Sequence, residues 1–110
     1  MTERLVVIGG DAAGMSAASQ ARRRRGPDDL EIVAYERSSW VSYSACGEPY
    51  HIAGEVDPLE ALVARTPEQF ARRHIAVHIR HEVTAIDTAA RTVTVHRLDD
   101  DAVFDDHYDQ

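Results

Sequence analysis

Two side chains sit where chemistry could be done, one thiol and one carboxylate. Cys46 is the single cysteine of the 110 residues and lies in WVSYSACGEPYHIAG, between a Ser/Tyr-rich run and a Gly-Glu-Pro. As a thiolate it is a nucleophile for a disulfide or a peroxide, and a helix N-terminus or a nearby cation would lower its pKa. A lone cysteine cannot resolve a mixed disulfide internally. Seen without its context, it reads first as a small, inert buried residue. Glu36 stands 22 residues after Gly14, the last glycine of Gly9-Gly10-Asp11-Ala12-Ala13-Gly14. A carboxylate at that spacing can accept both hydroxyls of a ribose.

These residues need a scaffold, and the first forty positions describe one. Leu5-Val6-Val7-Ile8 reads as a short buried strand stopped by Gly9-Gly10. Residues 12–25 are rich in Ala, Gln and Arg and predict a helix with a cationic last turn, ended by Gly26-Pro27. Residues 30–35, LEIVAY, form the second strand. The result is a βαβ unit with parallel strands. Gly9 permits the tight turn, and Gly14 lets the helix pack close to the sheet. The middle position of the fingerprint, where a glycine admits pyrophosphate, holds Asp11. The helix N-terminus offers backbone N–H groups and partial positive charge to phosphate. A plain βαβ with a Gly-rich turn is the simpler reading, but the turn and the acidic partner coincide.

Further along, Thr66-Pro67-Glu68-Gln69 has the form of a capping box with Pro at the first helical position. It predicts a short helix over 67–73. Residues 75–79 follow as a strand. Residues 83–87 and 91–95 alternate with period two around a short turn, as in a hairpin, with a third strand through 102–104.

Composition narrows the function. The formal charge of −7 disfavours nucleic acid as a partner. No apolar stretch is long enough for a bilayer, and the N-terminus lacks a signal-peptide core, so a cytoplasmic protein is expected. All twelve basic residues are Arg, four of them at 22–25, and six Asp lie in the last twelve residues. The six histidines, at 51, 74, 78, 81, 96 and 107, make no zinc framework, and Asp99-Asp100-Asp101 reads as a solvated turn. No metal is expected.

With the thiol segment added, the chain resembles the FAD-dependent pyridine nucleotide-disulfide oxidoreductases. It is most similar to the single-cysteine branch of coenzyme A-disulfide reductases and NADH oxidases and peroxidases. The resemblance is carried by residues 7–14, VIGGDAAG, by Tyr35-Glu36-Arg37, by residues 42–50, SYSACGEPY, by Thr66-Pro67-Glu68 and by His81-Glu82-Val83. These occur in the family's order along nearly the whole chain. Tyr43 replaces the usual Phe of the Ser-Phe-x-x-Cys pattern, and Ala45 replaces the Asn usual before the cysteine in coenzyme A-disulfide reductases.

The resemblance implies an α/β fold: a Rossmann-like FAD-binding βαβ unit with an antiparallel hairpin or meander, the first segment of a discontinuous FAD domain occupying 1–110. Gly9, Gly10, Ala12, Ala13, Gly14, Glu36, Arg37 and Val83 would hold FAD, and Cys46 would be catalytic. Ser16, Gln20, Arg23 and Ser42 would bind substrate. The first three also share a helix face by spacing, and Arg presents a planar fork to phosphate. Electrons would pass from NAD(P)H through flavin and Cys46 to a small-molecule disulfide resembling coenzyme A disulfide. The nicotinamide and dimerisation domains of a homodimeric parent lie outside this segment, which alone should be inactive. Two other readings stay open: a peroxide or oxygen reductase using Cys-sulfenate, and a non-catalytic nucleotide-binding or thiol-sensing module.

Overall fold

The computed structural model describes residues 2–39 and 66–110. Eight elements follow in order: β1 (Glu3–Ile8), α1 (Ala12–Arg24), β2 (Leu30–Glu36), α2 (Pro67–Ala71), β3 (Ile75–Ile79), β4 (His81–Asp87), β5 (Thr92–Arg97) and β6 (Ala102–His107). The first sheet has the order β1-β2-β3 with both pairings parallel. The second, β4-β5-β6, is an antiparallel meander. The α/β class, the parallel βαβ unit and the meander expected from the sequence are all present.

The apolar run of residues 32–35 within β2 reflects cover on both sides, as in parallel sheets generally. Ile32 and Ala34 face one side, where Met15 and Ala18 of α1, Phe70 of α2 and Ile75 of β3 complete a buried cluster. Val33 and Tyr35 face the other side, against Val93 and Val95 of β5. The molecule is therefore three layers deep, with helices, parallel sheet and meander stacked around β2.

Local signals account for the ends of the elements. Asp11 is the N-cap of α1, and its carboxylate accepts the Gly14 N–H at 3.0 Å. The basic end of α1 does more than complement the dipole. Arg22 donates to the carbonyls of Arg25, Leu30 and His74, fastening the helix end to the starts of β2 and β3. Burial without a carboxylate partner lowers its pKa. Arg25 pairs with Asp29 and Glu3. The capping box at Thr66 and Gln69 forms as the spacing predicts. The helix it starts ends at Ala71, short of 73, where the chain turns through His74 at φ 58°.

In the meander, Asp87 accepts the N–H groups of Ala89 and Ala90 and so shapes the β4–β5 turn. A register shift between Val83 and Ala85 leaves Thr84 as an inserted residue. After β6 the chain returns to β1: Asp109 and Gln110 donate backbone N–H groups to Arg4, and Val6 donates to Gln110. Among the described residues no helix is long and apolar enough to cross a membrane.

Candidate dinucleotide and substrate sites

The carboxyl ends of β1 and β2 open into a cavity of about 740 Å³. Its lining includes Gly9 and Asp11 from the turn, Tyr35 to Ser38 from the end of β2, and His81 to Thr84 from β4. Parallel strands bring Ile8 beside Tyr35, so the glycine turn and the acidic residue emerge next to each other. Ligands of open α/β sheets bind at such strand ends.

Glu36 is held there through both of its carboxylate oxygens. Its Oε1 accepts the Gly10 N–H at 2.8 Å and its Oε2 accepts the Ser38 N–H at 2.7 Å. Each carboxylate oxygen has lone-pair capacity beyond one such bond. Two oxygens spaced and fixed in this way can receive two adjacent hydroxyls without first being ordered.

The turn itself is built for close approach. Gly9 holds φ +98°, in the region that favours glycine, and its N–H bonds to the Tyr35 carbonyl at 2.9 Å. A Cβ on Gly14 would fall 1.9 Å from the Gly9 carbonyl oxygen. Helix and turn therefore touch backbone to backbone. Asp11, standing where the fingerprint has a glycine, uses its side chain to cap α1. The Ala12 and Ala13 N–H groups belong to the first turn, which the helix ladder leaves without partners. They are the donors left for an anion.

Gly9, Glu36, Arg37 and Val83 thus meet around one cavity, while Gly10 acts through its bond to Glu36. Ala12 instead lines a second cavity, and Ala13 and Gly14 belong to the adjoining helix start. The sequence reading missed Ser38, Glu82 and Thr84. Ser38 had a signal, two residues after Glu36, whereas Thr84 reaches the wall through a bulge.

The second cavity, about 470 Å³, runs along α1 beside Phe70 of α2. Ser16, Gln20 and Arg23 line it together with Met15, Ser19 and Phe70. The i, i+4, i+7 face is therefore a real surface over a groove. Arg23 Nη1 donates to Gln20 Oε1 at 2.9 Å, which orients the guanidinium along the cavity wall. Ser19, one turn from Ser16, was legible from the same spacing. Phe70 was not, because it arrives from α2. Ser42 and Cys46 lie outside the described residues, and among those described no cluster of three metal-ligating side chains occurs.

Residues 3–110 match the family model described as pyridine nucleotide-disulphide oxidoreductase. The chain is 42% identical over 85 residues to the NAD(P)H sulfur oxidoreductase (CoA-dependent) of Pyrococcus abyssi, covering 76% of this chain and 18% of that protein. It is 36% identical over 108 residues to the coenzyme A disulfide reductase of Staphylococcus aureus, covering 97% and 24%. Among solved structures, reduced Bacillus anthracis CoADR-RHD matches with a TM-score of 0.91 at 29% identity, over 99% of this chain and 19% of that one. The water-forming NADH oxidase of Lactobacillus brevis, bound to NADH, matches with a TM-score of 0.89 at 30% identity, over 99% and 24%. The chain thus spans no more than about a quarter of these relatives. With the family model matched along nearly its full length, the chain belongs to the pyridine nucleotide-disulphide oxidoreductases.

Proposed function

We propose that this chain is the FAD-holding N-terminal part of an oxidoreductase that passes electrons from NAD(P)H through flavin and Cys46 to a low-molecular-weight disulfide resembling coenzyme A disulfide. The observation that carries the reading is the fixed Glu36 carboxylate, bonded to Gly10 and Ser38 beside the turn of Gly9. The residues present fit an adenine dinucleotide: Glu36 for its ribose, the start of α1 for its pyrophosphate, and the strand of Val83 for its base. FAD, when bound, supplies two-electron transfer between a nicotinamide and a thiol–disulfide centre.

Along α1, Arg23 and Gln20 with Ser16 form a polar wall suited to a phosphate-bearing substrate. In this reading Ser42 lies beside the substrate and Cys46 is the nucleophile. Its thiolate attacks one sulfur of the disulfide, releases the other as a thiolate and retains the first as a mixed disulfide. The relatives named for coenzyme A disulfide and for CoA-dependent sulfur reduction support this choice of substrate. A working thiol of this kind fits the reducing cytoplasm, and the complete enzyme is proposed to be a homodimer.

The test is Cys46→Ser in the full-length protein. It should retain bound flavin and its reduction by NAD(P)H while losing disulfide reduction. Mass spectrometry of the unreduced wild type should show a coenzyme A or small-thiol adduct on Cys46. An adduct of oxygen alone would favour the oxidase or peroxidase reading, which the likeness to the NADH oxidase also supports. Undiminished disulfide reduction in Cys46→Ser would remove the proposed role of the thiol.

A further inference from the structure

Four rings collect where the parallel sheet meets the meander. Tyr35 stacks on His78 of β3, with centroids 5.6 Å apart and planes at 25°, and on His81 of β4, at 5.9 Å and 26°. The two imidazoles are 5.3 Å apart. Phe104 of β6 meets Tyr35 and His81 edge-on, each at 6.3 Å. These rings, with Arg4, Arg97 and Asp106, surround a cavity of about 460 Å³. Tyr35 and His81 also line the dinucleotide cavity, so they form a partition between the two.

The charges around this partition come from every layer. Arg4 on β1 pairs with Asp106 on β6 at 2.8 Å and also with Glu31 on β2. Tyr35 donates its hydroxyl to Asp106 at 2.5 Å. Arg97 on β5 pairs with Asp100, and Glu82 follows His81 along the dinucleotide wall. Only His78 and His81 are of a type that ordinarily titrates near neutral pH. A proton on His78 is opposed by Arg4 and favoured by Asp106. His81 is tied to the end of β3. Its Nδ1 lies 2.7 Å from the Ile79 carbonyl, an oxygen that can only accept, so Nδ1 carries the hydrogen.

We infer that His78, stacked on Tyr35 beside His81, is an acid-sensitive latch on the dinucleotide cavity, resting on the nucleotide reading proposed above. While His78 is unprotonated, its ring stays stacked on Tyr35 and the start of β4 is seated. When His78 takes a proton its ring leaves the stack, and the segment from His81 to Thr84, tied to the end of β3 and forming a wall of the cavity, moves with it. Burial against Tyr35, then the neighbouring His81 and Arg4, hold the His78 imidazole below its ordinary range despite Asp106. His78 is nevertheless an exposed residue, where a proton can arrive.

FAD affinity of the full-length protein, measured by flavin fluorescence at pH 7.5 and 5.5, tests the latch. One proton excluded from the bound state changes affinity about tenfold per pH unit, so the wild type should lose roughly tenfold or more. His78→Phe keeps a ring on Tyr35 without a titrating group and should reduce that loss to about threefold or less while leaving affinity at pH 7.5 unchanged. If it misfolds, His78→Gln carries the same comparison. An equal acid loss in wild type and variant, or no loss in the wild type, overturns the latch. Glu36→Ala at pH 7.5 separates the two ideas. A variant with undiminished FAD affinity overturns the nucleotide assignment and the latch together, whereas weakened FAD binding without any histidine effect overturns the latch alone.

Discussion

The carboxylate of Glu36 accepts the Gly10 N–H at 2.8 Å, so the end of β2 is bonded to the turn that follows β1. The same carboxylate that faces the cavity therefore also shapes it. Glu36→Ala removes both roles. Hydrogen bonds to charged groups contribute about 1.5–3 kcal/mol, so flavin affinity in the full-length protein should fall about tenfold to a hundredfold. Visible absorbance remaining after dialysis measures it. Full retention would overturn the assignment of this carboxylate to the dinucleotide.

Gly14→Ala should be among the most damaging single changes. The added Cβ would lie 1.9 Å from the Gly9 oxygen and 3.2 Å from Val7 Cγ1, and the nearest obstacle is backbone that cannot step aside. A loss of about 3 kcal/mol or more is expected, together with the dinucleotide site. Gly26→Ala is the control, since a Cβ there meets nothing within 4 Å. Denaturant unfolding distinguishes them, and equal midpoints would contradict the close approach.

Arg23→Glu should act on the substrate rather than on the fold, because Arg23 is exposed and its described partner is Gln20. Losing a charge-assisted contact to phosphate should raise KM for coenzyme A disulfide about tenfold or more. KM for a small disulfide without phosphates should stay unchanged. Equal losses with both would point to disturbed packing of α1 over Phe70.

Asp106 holds the meander to the parallel sheet, accepting from Arg4 at 2.8 Å and from Tyr35 at 2.5 Å. Burial alone would raise the Asp106 carboxyl, but these bonds outweigh it and hold its pKa below the ordinary value. A depressed carboxyl contributes stability above its unfolded pKa and loses it as pH falls through the folded value. Asp106→Asn should therefore cost about 2–3 kcal/mol at pH 7, with the difference from wild type shrinking below about pH 4. A difference that did not vary with pH would show that the ionised form is not what matters.

What the residues specify locally was legible without coordinates. The run of β2, the capping box at Thr66 and the alternation of β4 and β5 depend on neighbours within a few positions, so periodicity and cap chemistry expose them. The Gly9–Gly14 turn and Glu36 were legible for a related reason: a strand–turn–helix–strand unit places them at one end of two parallel strands. The i, i+4, i+7 face of Ser16, Gln20 and Arg23 likewise required only helical spacing.

Tertiary structure decided which groups hold those residues. That Glu36 is fastened by Gly10 and Ser38 depends on the relative height of two strands. That Arg22 ends on the His74 carbonyl, 52 residues away, depends on α1 ending beside β3. Tyr35 and Asp106 are 71 residues apart in sequence yet bonded, and His81 of the meander reaches the Tyr35 ring only because the two sheets pack together. Caps and periodic patterns act over one or two turns of chain, so sequence alone determined the elements and the shared helix face. The partners across layers are selected by close packing, whose contacts between distant residues have no local signature.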